Sequence, residues 1–165
     1  MDIDLGMLLI RLALGPMLVV HGWNKVFGSG GIKGTTGWFA SLGLRPAWLH
    51  ARVAAATEII AGVLVTLGLF TGLGAAAFVG LMTVATLTDH RGKGYFIFKG
   101  GCEYTLVVAL VAVGLASVGP GAWSLDSAFD LDIAGRAWAI AALVLGVAGA
   151  ALLMATSYRP KVEVA

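Results

Sequence analysis

Leu5 to Phe27 reads LGMLLIRLALGPMLVVHGWNKVF, a mostly apolar run close to the ~20 residues that a helix needs to cross a hydrocarbon core. Arg11 interrupts the run near its start, and His21, Asn24 and Lys25 near its end. An ionisable side chain at bilayer depth costs a few kcal/mol unless it finds a partner or reaches the interface. The organisation of the other apolar segments follows from where those partners lie.

The whole chain agrees with a membrane reading. Its 165 residues are 59% hydrophobic and 12% charged, with a mean hydropathy of +0.92. Soluble domains carry about 25% charged residues, so this chain cannot clothe itself in polar groups in water. The length suits one helical bundle without a separate soluble domain. Basic residues are scattered with no basic run or helix, so a nucleic-acid partner is not expected; membrane lipid is. Cys102 is the one cysteine, which excludes an intrachain disulfide, a CxxC pair and a cysteine-rich metal site. The acidic start MDIDLG lacks the basic flank and cleavage site of a signal peptide, so the first apolar run is expected to be retained.

Five apolar segments emerge, at 5–27, 51–70, 74–88, 102–118 and 134–156. They predict an all-α integral membrane protein, a four-helix transmembrane bundle plus a fifth transmembrane helix. An amphipathic interfacial segment, about 34–50, precedes the second span; Trp38, Phe39, Trp48 and Leu49 suit a membrane-surface belt. The stretch 71–74 reads as a tight turn joining spans two and three. Lys25, Lys33, Arg45 and Arg52 border the first connection, Arg91, Lys93 and Lys99 the third, and Arg159 and Lys161 lie in the tail. Asp2, Asp4, Asp126, Asp130 and Asp132 fall on the other side. The positive-inside rule then puts the N-terminus outside and the C-terminus in the cytoplasm. Thr57–Gly62 and Cys102–Val107 echo each other, a glutamate followed by an apolar run, which suggests a two-helix repeat.

At about 1.5 Å per residue, His21, Asn24, Lys25, Glu58, Asp89, His90, Glu103 and Tyr104 are expected at one depth near the cytoplasmic side. Two readings of this polar cluster stand side by side. It is a binding pocket in which Glu58 and His21 carry protons and Lys25 balances charge, or it is structural glue holding the helices in register. Arg11, in the outer half, is expected to pair with Asp126 of a loop folded back over the bundle. Cys102 reads as inert packing. His21, His90, Glu58 and Glu103 are metal-ligating types, but their spacing matches no metal signature, and no metal is expected. The glycines of GSGGIKGTTG follow a membrane helix rather than a strand and match no phosphate-binding loop.

LIRLALG at 9–15 with HGWNK at 21–25 resembles the first helix of the DoxX family of small bacterial membrane proteins. FASLGL at 39–44 with the Glu58-Ile-Ile-Ala-Gly helix is similar to its second block, GGCEY at 100–104 to the start of its fourth helix, and GPGAWSLD at 119–126 to its closing signature. Gly101 stands where that family usually has asparagine. The resemblance implies a four-helix core over 1–133, to which this chain adds a helix at 134–156 and a cytoplasmic tail at 157–165. It also implies a bacterial plasma-membrane protein associated with oxidoreductase systems, some of them quinone-linked, with Arg11, His21, Lys25, Glu58, Glu103 and Asp126 on motif positions. The sequence holds no haem, iron–sulfur or nucleotide motif, so at most it forms part of an oxidoreductase complex, with a quinone as the cofactor candidate. A small transporter or lipid-binding protein, and a scaffold docking other proteins or copies of itself through the Gly- and Ala-rich face of the fifth helix (Gly135, Ala142, Gly146, Gly149, Ala150), are the alternatives.

Overall fold

A computed structural model describes residues 2–160; of the expected tail, residues 161–165 lie outside the described residues. Seven helices follow in order: α1 (Asp2–Phe27), α2 (Gly31–Ser41), α3 (Ala47–Leu67), α4 (Thr71–Leu87), α5 (Glu103–Val118), α6 (Leu125–Ala128) and α7 (Arg136–Ser157). A 3-10 turn, Ile97–Lys99, precedes α5. All five apolar segments are helical. By length and composition α1, α3 and α7 can cross a membrane; α4 and α5 are apolar but shorter, at 17 and 16 residues.

Two boundaries differ from the sequence reading. Residues 71–74 are the first turn of α4 rather than a connecting turn. α3 stops at Gly68, whose left-handed backbone (φ 64°) ends the helix, and only Leu69 and Phe70 remain before α4 begins. The amphipathic segment divides into α2 and the start of α3. α2 forms despite its glycines because tertiary contacts hold it: Thr35 Oγ1 donates to Lys25 O at 2.8 Å, and Phe39 packs with Leu44 and Ala51.

Packing follows from small residues. α1 lies chiefly on α3, α3 also meets α4, and α4 carries α5 and α7. One face of α1 (Met7, Arg11, Leu14, Gly15, Leu18 and Gly22) is buried, at the i, i+4, i+7, i+8 spacing of a helical stripe. Leu5, Leu9, Leu12, Val20, Trp23 and Phe27 point away. Where α1 crosses α3, a Cβ on Gly15 would sit 2.7 Å from Gly62 O, and one on Gly62 would sit 2.6 Å from Gly15 O. The two backbones touch, and a methyl group on either has nowhere to go. Helix propensity alone would favour alanine by about 1 kcal/mol. Overpacking costs about 1–3 kcal/mol, so Gly15→Ala is expected to lower the melting temperature in detergent; an unchanged or raised melting temperature would show the crossing to be looser than described.

The small-residue face of α7, expected to dock partners, is used inside the chain. Ala142, Gly146 and Ala150 are buried, and a Cβ on Gly146 would fall 2.6 Å from Val79 Cβ and 2.8 Å from Ala76 O of α4. Its outward side carries Ile140, Leu143, Val144, Val147 and Leu152. Beyond α7 the chain pairs with the α2–α3 connection: Leu44 and Tyr158 form an antiparallel bridge, Arg45 N donates to Ser157 O at 2.8 Å, and Arg159 N to Gly43 O at 2.7 Å. The Arg91 guanidinium lies 5.9 Å from the Tyr158 ring centre. One end of the bundle therefore gathers Arg45, Arg91 and Arg159. At the opposite end Ala122 N donates to Asp4 Oδ1 at 2.8 Å, beside the loop that carries Asp126.

Candidate functional site

A cavity of about 610 Å³ lies between α1 and α3 on one side and α4 and α7 on the other, reaching Trp38 and Phe39 of α2 and Tyr104 and Thr105 of α5. Its walls are mostly apolar: Leu18, Val53, Ala76, Leu81, Met82, Val84, Leu145 and Leu153, with Gly80, Gly146 and Gly149 thinning them. Size and lining match those of small-molecule sites.

Its polar groups come chiefly from the expected cluster. Lys25 Nζ lies 2.7 Å from Glu58 Oε1, which accepts its hydrogen bond, and 2.7 Å from Oε2. Glu58 is 7% exposed. The same ammonium stands 5.9 Å from the Trp38 ring centre, a cation–π distance. His21, Asp89, His90 and Tyr104 also line the cavity. The Tyr104 hydroxyl donates to Met17 Sδ at 2.7 Å, and Thr86 and Thr105 share a hydrogen bond at 2.6 Å. His90 Nδ1 stands 2.6 Å from Gly100 O; a carbonyl only accepts, so this nitrogen carries the proton, which in the neutral ring leaves Nε2 as an acceptor.

Two expected members do not join. Asn24 is exposed and is not among the lining residues. Glu103 turns the other way, its Oε2 accepting from Ile97 N at 3.0 Å. Its neighbour Tyr104 lines the cavity, and at 3.6 residues per turn successive side chains point about 100° apart, so Glu103 faces away from it. Asp89 reaches the wall but faces Lys93 at 3.7 Å near solvent.

His50 is the lining residue that sequence reasoning missed. Its Nε2 is buried without a hydrogen-bond partner among the described residues. The signal was present: His50, Val53, Ala54, Thr57 and Glu58 fall at i, i+3, i+4, i+7 and i+8, one face of α3, and all five line the cavity. With it, all three histidines of the chain face one space. No group of three or more His, Cys, Asp or Glu side chains able to hold a metal occurs among the described residues. Cys102 is a free thiol outside the cavity lining.

The outer-half pairing of Arg11 with Asp126 takes another form. Arg11, 3% exposed, donates from Nη1 to Pro120 O at 2.7 Å and Trp123 O at 2.9 Å, and from Nη2 to Thr66 O at 3.2 Å. Asp126, 2% exposed, accepts from Phe70 N at 2.7 Å and Thr71 N at 2.9 Å, capping α4. No direct ion pair joins them among the described residues. Both charges instead satisfy backbone groups at helix ends, where carbonyls and N–H groups lack helical partners.

The DoxX family model matches residues 6–91, α1 to just past α4; the 100–104 and 119–126 blocks lie beyond it. Over 123 residues the chain is 35% identical to "Putative oxidoreductase CatD" of Bacillus subtilis (strain 168), covering 74% of this chain and 86% of that protein. No solved structure gives a significant match. The chain belongs to the DoxX family, and its helices α1, α3 and α7 are long and apolar enough to cross a membrane.

Proposed function

We propose that this protein is a quinone-binding membrane subunit of a redox system in the bacterial plasma membrane, and that the cavity beside Lys25 and Glu58 is its binding site. One observation carries the reading: an apolar-walled space of ligand size ends on a buried ion pair and collects His21, His50, His90 and Tyr104. A quinone needs an apolar groove with a few hydrogen-bonding and proton-carrying groups, and these residues fit that need. When bound, the quinone would supply the electron-accepting ring; His21 and Glu58 hold and pass protons, and the apolar walls exclude water. The electrons come from a partner protein, because the sequence carries no electron-carrier motif. The relative's name, an oxidoreductase, agrees with this assignment.

The chain is read as crossing the membrane five times, through α1, α3, α4, α5 and α7, with the N-terminus outside and the C-terminus cytoplasmic. The gathering of Arg45, Arg91 and Arg159 at the end nearest the cavity mouth supports that orientation. Trp38 lines the cavity, so a quinone titrated into purified protein is expected to quench tryptophan fluorescence saturably. Thr57→Phe, which puts a ring into the cavity, should abolish the saturable component. Absence of saturable quenching in the unaltered protein, or its persistence in Thr57→Phe, would remove the assignment.

A further inference from the structure

The lining residues that are also exposed to the outside fall into two sets of different character. His21 lies one helical turn before Lys25, and the Trp38 ring centre stands 5.9 Å from the Lys25 ammonium; this edge belongs to the ion pair. Val53 of α3 with Leu145 and Gly149 of α7 make the other set, and it is wholly apolar. A residue that borders a cavity and the outside at once marks an opening. α3 and α7 flank the space but make almost no contact with each other, so this opening is a slot between two helices. Gly149 keeps it wide: a Cβ placed there would meet no atom within 4 Å.

The slot leads sideways. At the end of the bundle the Leu44–Tyr158 bridge and the hydrogen bond from Arg45 N to Ser157 O tie the chain after α7 to the segment before α3. Gly149 and Leu145 lie about 12 and 18 Å along α7 from its end at Ser157. With α7 as a membrane span, that is the level of acyl chains. A space of about 610 Å³ suits a drug-sized head and has no room for a long chain as well. Apolar groups gain nothing by leaving lipid tails for a protein wall, so a chain left in the slot costs the ligand nothing.

Resting on the reading of this cavity as a ligand site, we infer that the α3–α7 slot is the passage for the ligand's apolar chain. The ligand class is then a long-chain amphiphile of the bilayer rather than a compact water-borne molecule. Its polar ring sits at Lys25 and Glu58, and its alkyl or isoprenoid chain leaves between Val53 and Gly149.

The test uses two benzoquinones with the same ring, one carrying a methyl group and the other a decyl chain. Each is titrated by tryptophan quenching against the full chain and its Gly149→Phe variant in nanodiscs of one composition. Each comparison is of one ligand between two proteins in the same lipid, so partitioning cancels. Gly149→Phe, whose ring stands in the slot, is expected to weaken the decyl quinone by about tenfold or more and to leave the methyl quinone unchanged. Unchanged affinity for the decyl quinone, or an equal loss for both, overturns the passage and leaves the cavity assignment standing. If neither quinone binds the unaltered protein saturably, both fall. Should the variant not fold, a decyl quinone with a diazirine at mid-chain decides in the unaltered protein. Photolabelling is expected at Val53, Leu145 or Gly149, and labelling confined to other walls overturns the passage.

Discussion

Asp126→Ala is expected to cost about 3–5 kcal/mol of stability, measured as the loss of unfolding free energy in detergent, the magnitude found when a buried charge loses its partner. Asp126 is almost wholly buried and both its oxygens are occupied, by Phe70 N and Thr71 N. These are among the N–H groups of α4 that no helical carbonyl can reach, and a carboxylate there also faces the positive end of the helix dipole. The backbone of Asp126 is used as well, its N–H donating to Gly68 O and its carbonyl accepting from Leu131 N, each at 2.8 Å. Removing the side chain leaves two buried donors open and leaves the Arg11 charge without its neighbouring anion. Arg11→Met should destabilise by a similar amount, because Pro120 O, Trp123 O and Thr66 O lose their donor. The two losses are expected to fall short of additivity in the double variant, since each single change already strands the other charge. A loss under 1 kcal/mol for Asp126→Ala would mean that the closing loop does not hold the α3–α4 junction.

The second large effect belongs to the inner pair. Lys25→Met leaves Glu58 buried and unpaired and should cost about 3–5 kcal/mol. Replacing both, Lys25→Met with Glu58→Met, should return most of it, because apolar side chains substitute for a buried ion pair at little or no cost in stability. Recovered stability with ligand binding lost would separate the two readings of the cluster: the pair is dispensable to the fold and needed by the site. If the double variant is as unstable as the single, the pair serves the fold through contacts that methionine cannot replace.

The residues that were legible in the sequence share a property. Arg11, Lys25 and Glu58 are charges set inside apolar helices, where the cost of burial makes a partner obligatory, so pattern alone points to them. What remained hidden was the identity of partners that carry no side-chain signature. Arg11 ends on three backbone carbonyls and Asp126 on two backbone N–H groups, and nothing in the residue types marks either set. Helix ends were the other source of error. α3 begins four residues earlier than the expected segment, at Ala47, and rotation about α5 turns Tyr104 rather than Glu103 to the cavity. α2 was veiled by its glycines, whose poor propensity is overridden by Thr35 and Phe39. His50 was visible by spacing but lay within a stretch read as interfacial.

The wall formed by α7 is one helix thick. Leu145, Gly146, Gly149 and Leu153 border the cavity, while Leu143, Val144, Val147 and Leu152 point outward. Under the proposed function, with α7 against lipid, ligands that dissolve in acyl chains would sample the cavity from a hydrocarbon phase rather than from the aqueous one. Their occupancy is governed by mole fraction in the lipid, and dissociation constants expressed per volume of buffer will drift with the lipid-to-protein ratio of the preparation.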